Sequence, residues 1–276
     1  MLLWGAFAFT SFLTPSILFS VVHPVLRGLE RAAVPLLVAT VTASLPIEVA
    51  QIGDGWASVS DVSTFWSVLF DTSVGSAWQV EAGAALLLVL ACFWRGRGRR
   101  AAIALAAGGV LTTLSLTGHA AIHEGWLGLA HHANDALHVL AAGAWLGALL
   151  PLLPLLNHVD GTDLGQRAVT ALRRFSTAGH VTVSLVLATG ATNTALVLGR
   201  VPTDWSRPYQ AMLSAKIVLV ALMVCLAVVN RYVFVRRMGQ DRRRGTEKVK
   251  AVTLIEIGLG ASVLGLVAVF GMLEPG

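Results

Sequence analysis

Residues Thr117–Pro154, TGHAAIHEGWLGLAHHANDALHVLAAGAWLGALLPLLP, decide how this chain is read. Five of its eight histidines (His119, His123, His131, His132 and His138) fall here, before and inside an apolar run. About 20 apolar residues in a helix span the hydrocarbon of a bilayer, so the run predicts a membrane crossing. Neutral imidazole ligates soft and borderline metals, so imidazoles gathered at the mouth of a crossing predict capture of a metal ion.

Outward from this segment the same composition persists. Of 276 residues, 55% are hydrophobic and 13% charged. A soluble domain carries about a quarter charged residues. Eight runs are expected to cross: residues 2–22, 33–52, 76–94, 101–118, 134–156, 175–198, 211–233 and 251–272. The fold class is therefore all-α, a polytopic bundle of eight transmembrane helices forming one integral membrane domain over residues 1–276. The first run has no basic segment before it and no small-residue cleavage site after it, so it reads as a retained span. Cys92 and Cys225 lie in apolar runs without metal-type spacing, which gives no disulfide framework.

Basic residues alternate between loops. Arg27 and Arg31, Arg95 to Arg100, Arg167 to Arg174, and the run RRRGTEKVK at 242–250 follow or precede alternate spans. Residues 53–73 and the loop after the fourth span contain no Lys or Arg. The positive-inside rule then places both termini outside the cytoplasm. The same rule accounts for the basic run as a topology signal and not a nucleic-acid patch, despite a sequence pI of 9.9. Asp54, Asp61, Asp71, Glu124, Asp135, Asp204 and Glu274 make the outer side mildly acidic, which concentrates cations there at low salt.

Ionisable residues inside spans are costly unless paired or hydrated, and so are candidates for function. By helical rise, Glu48, Glu81, His119, His138, Asn193 and Lys216 form one layer near the outer face. Glu48, Glu81, Asn193 and Lys216 read as a supporting polar layer, with Lys216 expected to pair with Glu81 or Glu48. A second set, His23, His180, Asn230 and Glu256, lies toward the cytoplasmic side. His131, Asp135 and His138 are spaced i, i+4, i+7 and so share a helix face, as His119 and His123 do if the fourth span continues. These five are the candidate metal ligands, with Asp135 either ligating or orienting. His132 points elsewhere on the helix. Only five methionines are present, so a thioether-built copper(I) site is not evident.

LTGHAAIHEG followed by DALHVLAAGAWLGALLPLL resembles the CopD (copper resistance protein D, PcoD-like) family. DTSVGSAWQVEAG, RRFSTAG leading to LATGATNTALVLG, PYQAMLSAKIVLV with AVVNRYV, and IEIGLG also fit, so the resemblance runs from about Phe70 to the end. It implies an eight-helix protein of the bacterial inner membrane that handles copper, taking it from a periplasmic carrier. His119, His123, Asp135 and His138 become copper ligands or relay positions by that resemblance. Some relatives carry a fused copper-binding domain of the CopC type. This chain has none, so such a carrier is expected to be a separate protein.

The expected function is copper transport or import contributing to copper resistance or homeostasis, with copper ion and the lipid bilayer as partners and no nucleic acid. One alternative is a membrane protein holding b-type haem between His119 and His138, or between His23 and His180. Another is a non-transporting assembly or sensor subunit. No nucleophile–base pair, phosphate loop or dinucleotide fingerprint is found, so no enzymatic activity is expected.

Overall fold

The computed structural model describes residues 1–116, 125–159, 162–235, 242–271 and 273. Among them there are helices and no strand. In chain order they are α1 (Leu2–Ala8), α2 (Phe19–Ile52), the short α3 (Ala57–Ser60), α4 (Val62–Asp71) and α5 (Ser73–Phe93). Then come α6 (Arg99–Thr113), α7 (Gly125–Leu156), α8 (Asp163–Leu198), α9 (Pro208–Val229) and α10 (Arg242–Phe270). Helices dominate because lipid offers no partner to backbone N–H and C=O groups, which a helix satisfies internally.

Among the described residues, six helical stretches are long and apolar enough to cross a membrane, at residues 16–52, 73–93, 125–156, 163–198, 208–232 and 244–269. The chain is a multi-pass membrane protein. The first two expected spans differ from what is observed. α1 runs on as a π-helical turn, Phe9–Leu13, and stops at Thr14. Thr14 is extended (φ −100°, ψ 128°) because a residue before proline is pushed out of the helical region, and Pro15 follows. After the break α2 continues for 34 residues through Pro24, Pro35 and Pro46. That is about 51 Å of helix, well beyond the hydrocarbon thickness. α6, by contrast, has 15 residues before a 3₁₀ turn at Leu114–Leu116, about 22 Å of helix.

α7 is the central rod, packed against α1, α2, α6, α8 and α10. Its contact with α1 is made through glycine. A Cβ on Gly5 would sit 2.1 Å from the Gly143 carbonyl oxygen and 2.8 Å from the Gly147 Cα. Gly143 and Gly147 are four apart on one face, the small-residue spacing that lets membrane helices approach closely. Trp4 secures the crossing by donating its indole N–H to the Leu140 carbonyl at 2.8 Å. On another side of α7, Trp145, Leu146 and Leu149 pack with Val186 of α8 and Met223 of α9.

Arginines close the basic end. Arg99 holds Glu30 of α2 with two bonds of 2.6 and 3.1 Å and also donates to the Cys92 carbonyl. Arg100 donates to the Thr10 carbonyl at 3.1 Å, where the π-turn leaves α1, and lies over the Phe19 ring at 4.6 Å. Outside the spanning helices, Asp61 caps α4 by accepting from the Ser63 and Thr64 amides and the Thr64 hydroxyl. Those bonds, the Thr64 hydroxyl foremost, hold its carboxyl below the ordinary aspartate value. The cap is therefore in force above that ordinary value and is lost as pH falls through the lowered one.

Gly5→Ala should destabilise the purified protein by at least about 2 kcal/mol, since backbone cannot rotate away from the new methyl. Gly83→Ala, with nothing within 4 Å of its Cβ, should leave stability within about 1 kcal/mol. Thermal unfolding in detergent compares the two, and equal melting points would refute the glycine contact.

Candidate metal-handling site

The polar residues of α7 and α8 meet along one seam. On α7, His131, Asn134, Asp135 and His138 recur at helical spacing. On α8, Thr189, Gly190 and Asn193 do the same, and two antiparallel stripes face each other. Asn134 donates from its amide to the Asn193 Oδ1 at 2.6 Å and to the Thr189 carbonyl at 3.0 Å. Asn193 in turn donates to the Asp135 Oδ1 at 2.9 Å. The His138 Nδ1 lies 2.9 Å from the Thr189 hydroxyl. Interhelical bonds of this kind are worth about 1 kcal/mol each inside a membrane.

The proton on His138 follows from this geometry. The Thr189 hydroxyl has one hydrogen, which it gives to the Leu185 carbonyl of its own helix at 2.5 Å. Towards His138 it therefore accepts, and Nδ1 carries the proton. The ring also donates to the Val186 carbonyl of α8, and an imidazole protonated on Nδ1 carries its lone pair on Nε2, the form in which it ligates a metal. Gly190 makes room for the ring: a Cβ there would stand 3.2 Å from the His138 Cε1.

Lys216 of α9 completes the cluster. Its ammonium is acted on by the Asp135 charge, and its own charge reaches His138. The carboxylate in this role is thus Asp135, where the sequence suggested Glu81 or Glu48. Those two are half-buried on α5 and α2. His131 is buried, with 2% of its surface exposed. His132 turns away, its Nδ1 against the Ser115 carbonyl at the end of α6. His119 and His123 lie outside the described residues. Among the described residues no three His, Cys, Asp or Glu side chains are grouped so as to hold a metal ion.

Toward the basic end the second set is dispersed. His23 packs edge-on against Phe19. His180 is exposed, with its Nδ1 2.8 Å from the Ser176 carbonyl and its Nε2 3.4 Å from the Tyr232 hydroxyl. Arg231 donates to the Ser176 hydroxyl at 2.6 Å. Asn230 and Glu256 each have a buried oxygen without a hydrogen-bond partner among the described residues.

Three contributors escape a search for titratable groups: Asn134, Thr189 and Gly190. The usable signal is periodicity. Asn134 and His138, like Thr189 and Asn193, are four apart, so each pair shares a face of an otherwise apolar helix.

An imidazole, a carboxylate and an ammonium drawn together by α7, α8 and α9 in long apolar helices mark an integral membrane protein with a polar cluster in its interior. Comparison with known proteins narrows this. "Copper resistance protein D-like, N-terminal domain" matches residues 1–129, and "Copper resistance protein D" matches residues 169–270. Inner membrane protein YebZ of Escherichia coli (strain K12) is 34% identical over 250 residues, covering 91% of this chain and 85% of that protein. Copper resistance protein D of Pseudomonas syringae pv. tomato is 30% identical over 274 residues, covering 91% and 88%. Copper transport protein CutJ of Bacillus subtilis (strain 168) is 27% identical over 253 residues, covering 88% of this chain and 45% of its own length. The chain belongs to the copper resistance protein D family. No solved structure matches it significantly.

Thr189→Val should release the His138 tautomer. In nitrogen-15 spectra of histidine-labelled protein, the wild type should show one Nδ1-protonated ring that becomes a tautomer mixture in the variant. An Nε2-protonated ring in the wild type would contradict the bond assignment.

Proposed function

We propose that this protein moves copper across the bacterial inner membrane as part of copper resistance or homeostasis, and that it is not an enzyme. The observation that carries the reading is the α7–α8 seam. There His138 is fixed with Nε2 free of its proton, one helical turn from Asp135, and Lys216 supplies positive charge beside both. Names of relatives support it: one is a copper resistance protein, another a copper transport protein, and a third an inner membrane protein.

Copper is the cargo. It is received on the acidic, extracytoplasmic side by His119, His123, His131, Asp135 and His138, from a separate periplasmic carrier of the CopC type. Glu48, Glu81, Asn193 and Lys216 support that entrance. Lys216 holds the site's charge balanced when it is empty, because an isolated carboxylate in an apolar interior is costly and an ammonium offsets it. A cation arriving at Asp135 displaces that compensation. The ion then leaves past His23, His180, Asn230 and Glu256. The transmembrane part counts eight crossings in this reading, the six long stretches together with Leu2–Leu13 and α6, and both termini face outward. Such an arrangement puts every arginine-rich connection on the cytoplasmic side, as the positive-inside rule requires.

His138→Ala and Asp135→Asn should each lower cellular copper accumulation, by about tenfold if the residue ligates in the rate-determining step. His132→Ala, which removes only a contact to the end of α6, should change it little. Elemental analysis of cells expressing each variant at matched membrane levels makes the measurement. Wild-type accumulation in the His138→Ala, Asp135→Asn double variant would overturn the proposal.

A further inference from the structure

Glu256 has no role in the seam, and its situation is unusual. It is 2% exposed and sits on the inward stripe of α10 with Val249, Val252 and Thr253, all buried. One turn on, Gly260 lies against the Leu146 side chain of α7. Its neighbour Ile257 packs into the apolar cluster of Trp145, Leu146, Leu149 and Met223. The Thr253 hydroxyl is spent on the Val249 carbonyl of its own helix. The Glu256 Oε1 finds no hydrogen-bond donor among the described residues.

α10 packs chiefly on α7, α9 and the π-helical continuation of α9, Asn230–Val235. The charged and titratable groups they carry bond or lie elsewhere, Tyr209 of α9 in a separate cluster with Leu213. α7 has none between His138 and His158, and the His158 Nδ1 faces the Pro154 carbonyl. On α9, Lys216 is balanced by Asp135, and Cys225 is exposed. In the continuation, Arg231 bonds Ser176, and the Tyr232 hydroxyl faces His180 of α8. On α10 itself, Lys250 reaches Asn157, and Arg244, Glu247 and Lys248 lie two turns or more from Glu256 toward the start of the helix. A lone carboxylate in such surroundings is costly, whereas the protonated acid is tolerated.

We infer that Glu256 is the proton-carrying residue of this protein and that metal movement is coupled to counter-movement of a proton through it. The inference rests on the transport reading and adds the coupling ion. With no metal in the inner half of the bundle, the carboxyl keeps its proton. When the metal's charge arrives there, the O–H bond breaks and its electron pair stays on the carboxylate. The proton leaves to water on the side from which the metal came. Once the metal has departed, a proton from the far side restores the acid. Glu256 compensates charge and does not ligate.

The test uses full-length protein in phosphatidylethanolamine–phosphatidylglycerol vesicles holding a lumenal pH dye, with ascorbate-reduced copper outside. For wild type, a lumen ten times richer in protons should raise copper accumulation up to about tenfold for one-for-one exchange, and the lumen should become alkaline in step. E256Q, the neutral isostere, should fold, pass copper downhill and ignore the pH gradient. E256D should keep part of the response. Infrared spectra of the metal-free protein should show a protonated carboxylic acid band that E256Q lacks. Copper uptake blind to the pH gradient in wild type, a gradient response surviving in E256Q, a missing band, or an E256Q protein that does not fold would each overturn the inference while leaving transport standing. Wild-type vesicles that move no copper under any gradient would sink the transport reading, and the coupling with it.

Discussion

Where Gly5 faces Gly143 and Gly147, the backbones of α1 and α7 meet with no side chain between them. In a bilayer apolar side chains gain little by leaving lipid for one another, so close van der Waals approach of this kind must hold helices together. The contact helps to place α7 at the centre of the bundle, where it also touches α2, α6, α8 and α10. Every residue discussed at the polar seam projects from α7 or faces it. A helix that moved away from α1 would carry His131, Asp135 and His138 with it.

The seam itself is economical in charge. One carboxylate and one ammonium, with the imidazoles of His131 and His138, are accompanied by amides and a hydroxyl that have no net charge. The amides of Asn134 and Asn193 form a chain that reaches the carboxylate, so Asp135 is oriented from α8 while Lys216 acts on it from α9. At the opposite end the chemistry changes character. Arg99, Arg100 and Arg231 spend their donors on helix ends and on Glu30 and Ser176, which is fastening and not transport. Glu256 and Asn230 differ at that end, since each keeps a buried oxygen with no hydrogen-bond partner among the described residues.

Much of this is readable from residue order. The crossing through 134–156 is evident because no charged residue interrupts it after Asp135, and His131, Asp135, His138 and Asn193 of the seam are named by their polarity in apolar surroundings. What escapes is tertiary. The end of α1 at Thr14 depends on Pro15, a signal outweighed by the apolar residues continuing to Val22. The persistence of α2 through Pro24, Pro35 and Pro46 runs against local propensity and comes from membrane and packing context. The choice of Asp135 over Glu48 or Glu81 beside Lys216 is a matter of which helices are neighbours, which spacing along the chain cannot give. Thr189 looks like an ordinary hydroxyl bonded to its own helix, and it is one. Its second task, towards His138, needs the partner helix to be in place.

Thr189 bonds one nitrogen of His138 and the ring lies close over Gly190, so α8 restrains the imidazole at two adjacent points. In the proposed role of metal ligand, an imidazole so restrained would offer the same lone pair in the same direction on every cycle and would not let go by turning aside. On the transport reading proposed above, unloading would then come from a rigid-body shift of one helix past its neighbour. The slow step of the cycle would accordingly respond to membrane thickness and lateral pressure more than to the chemistry of the departing ion.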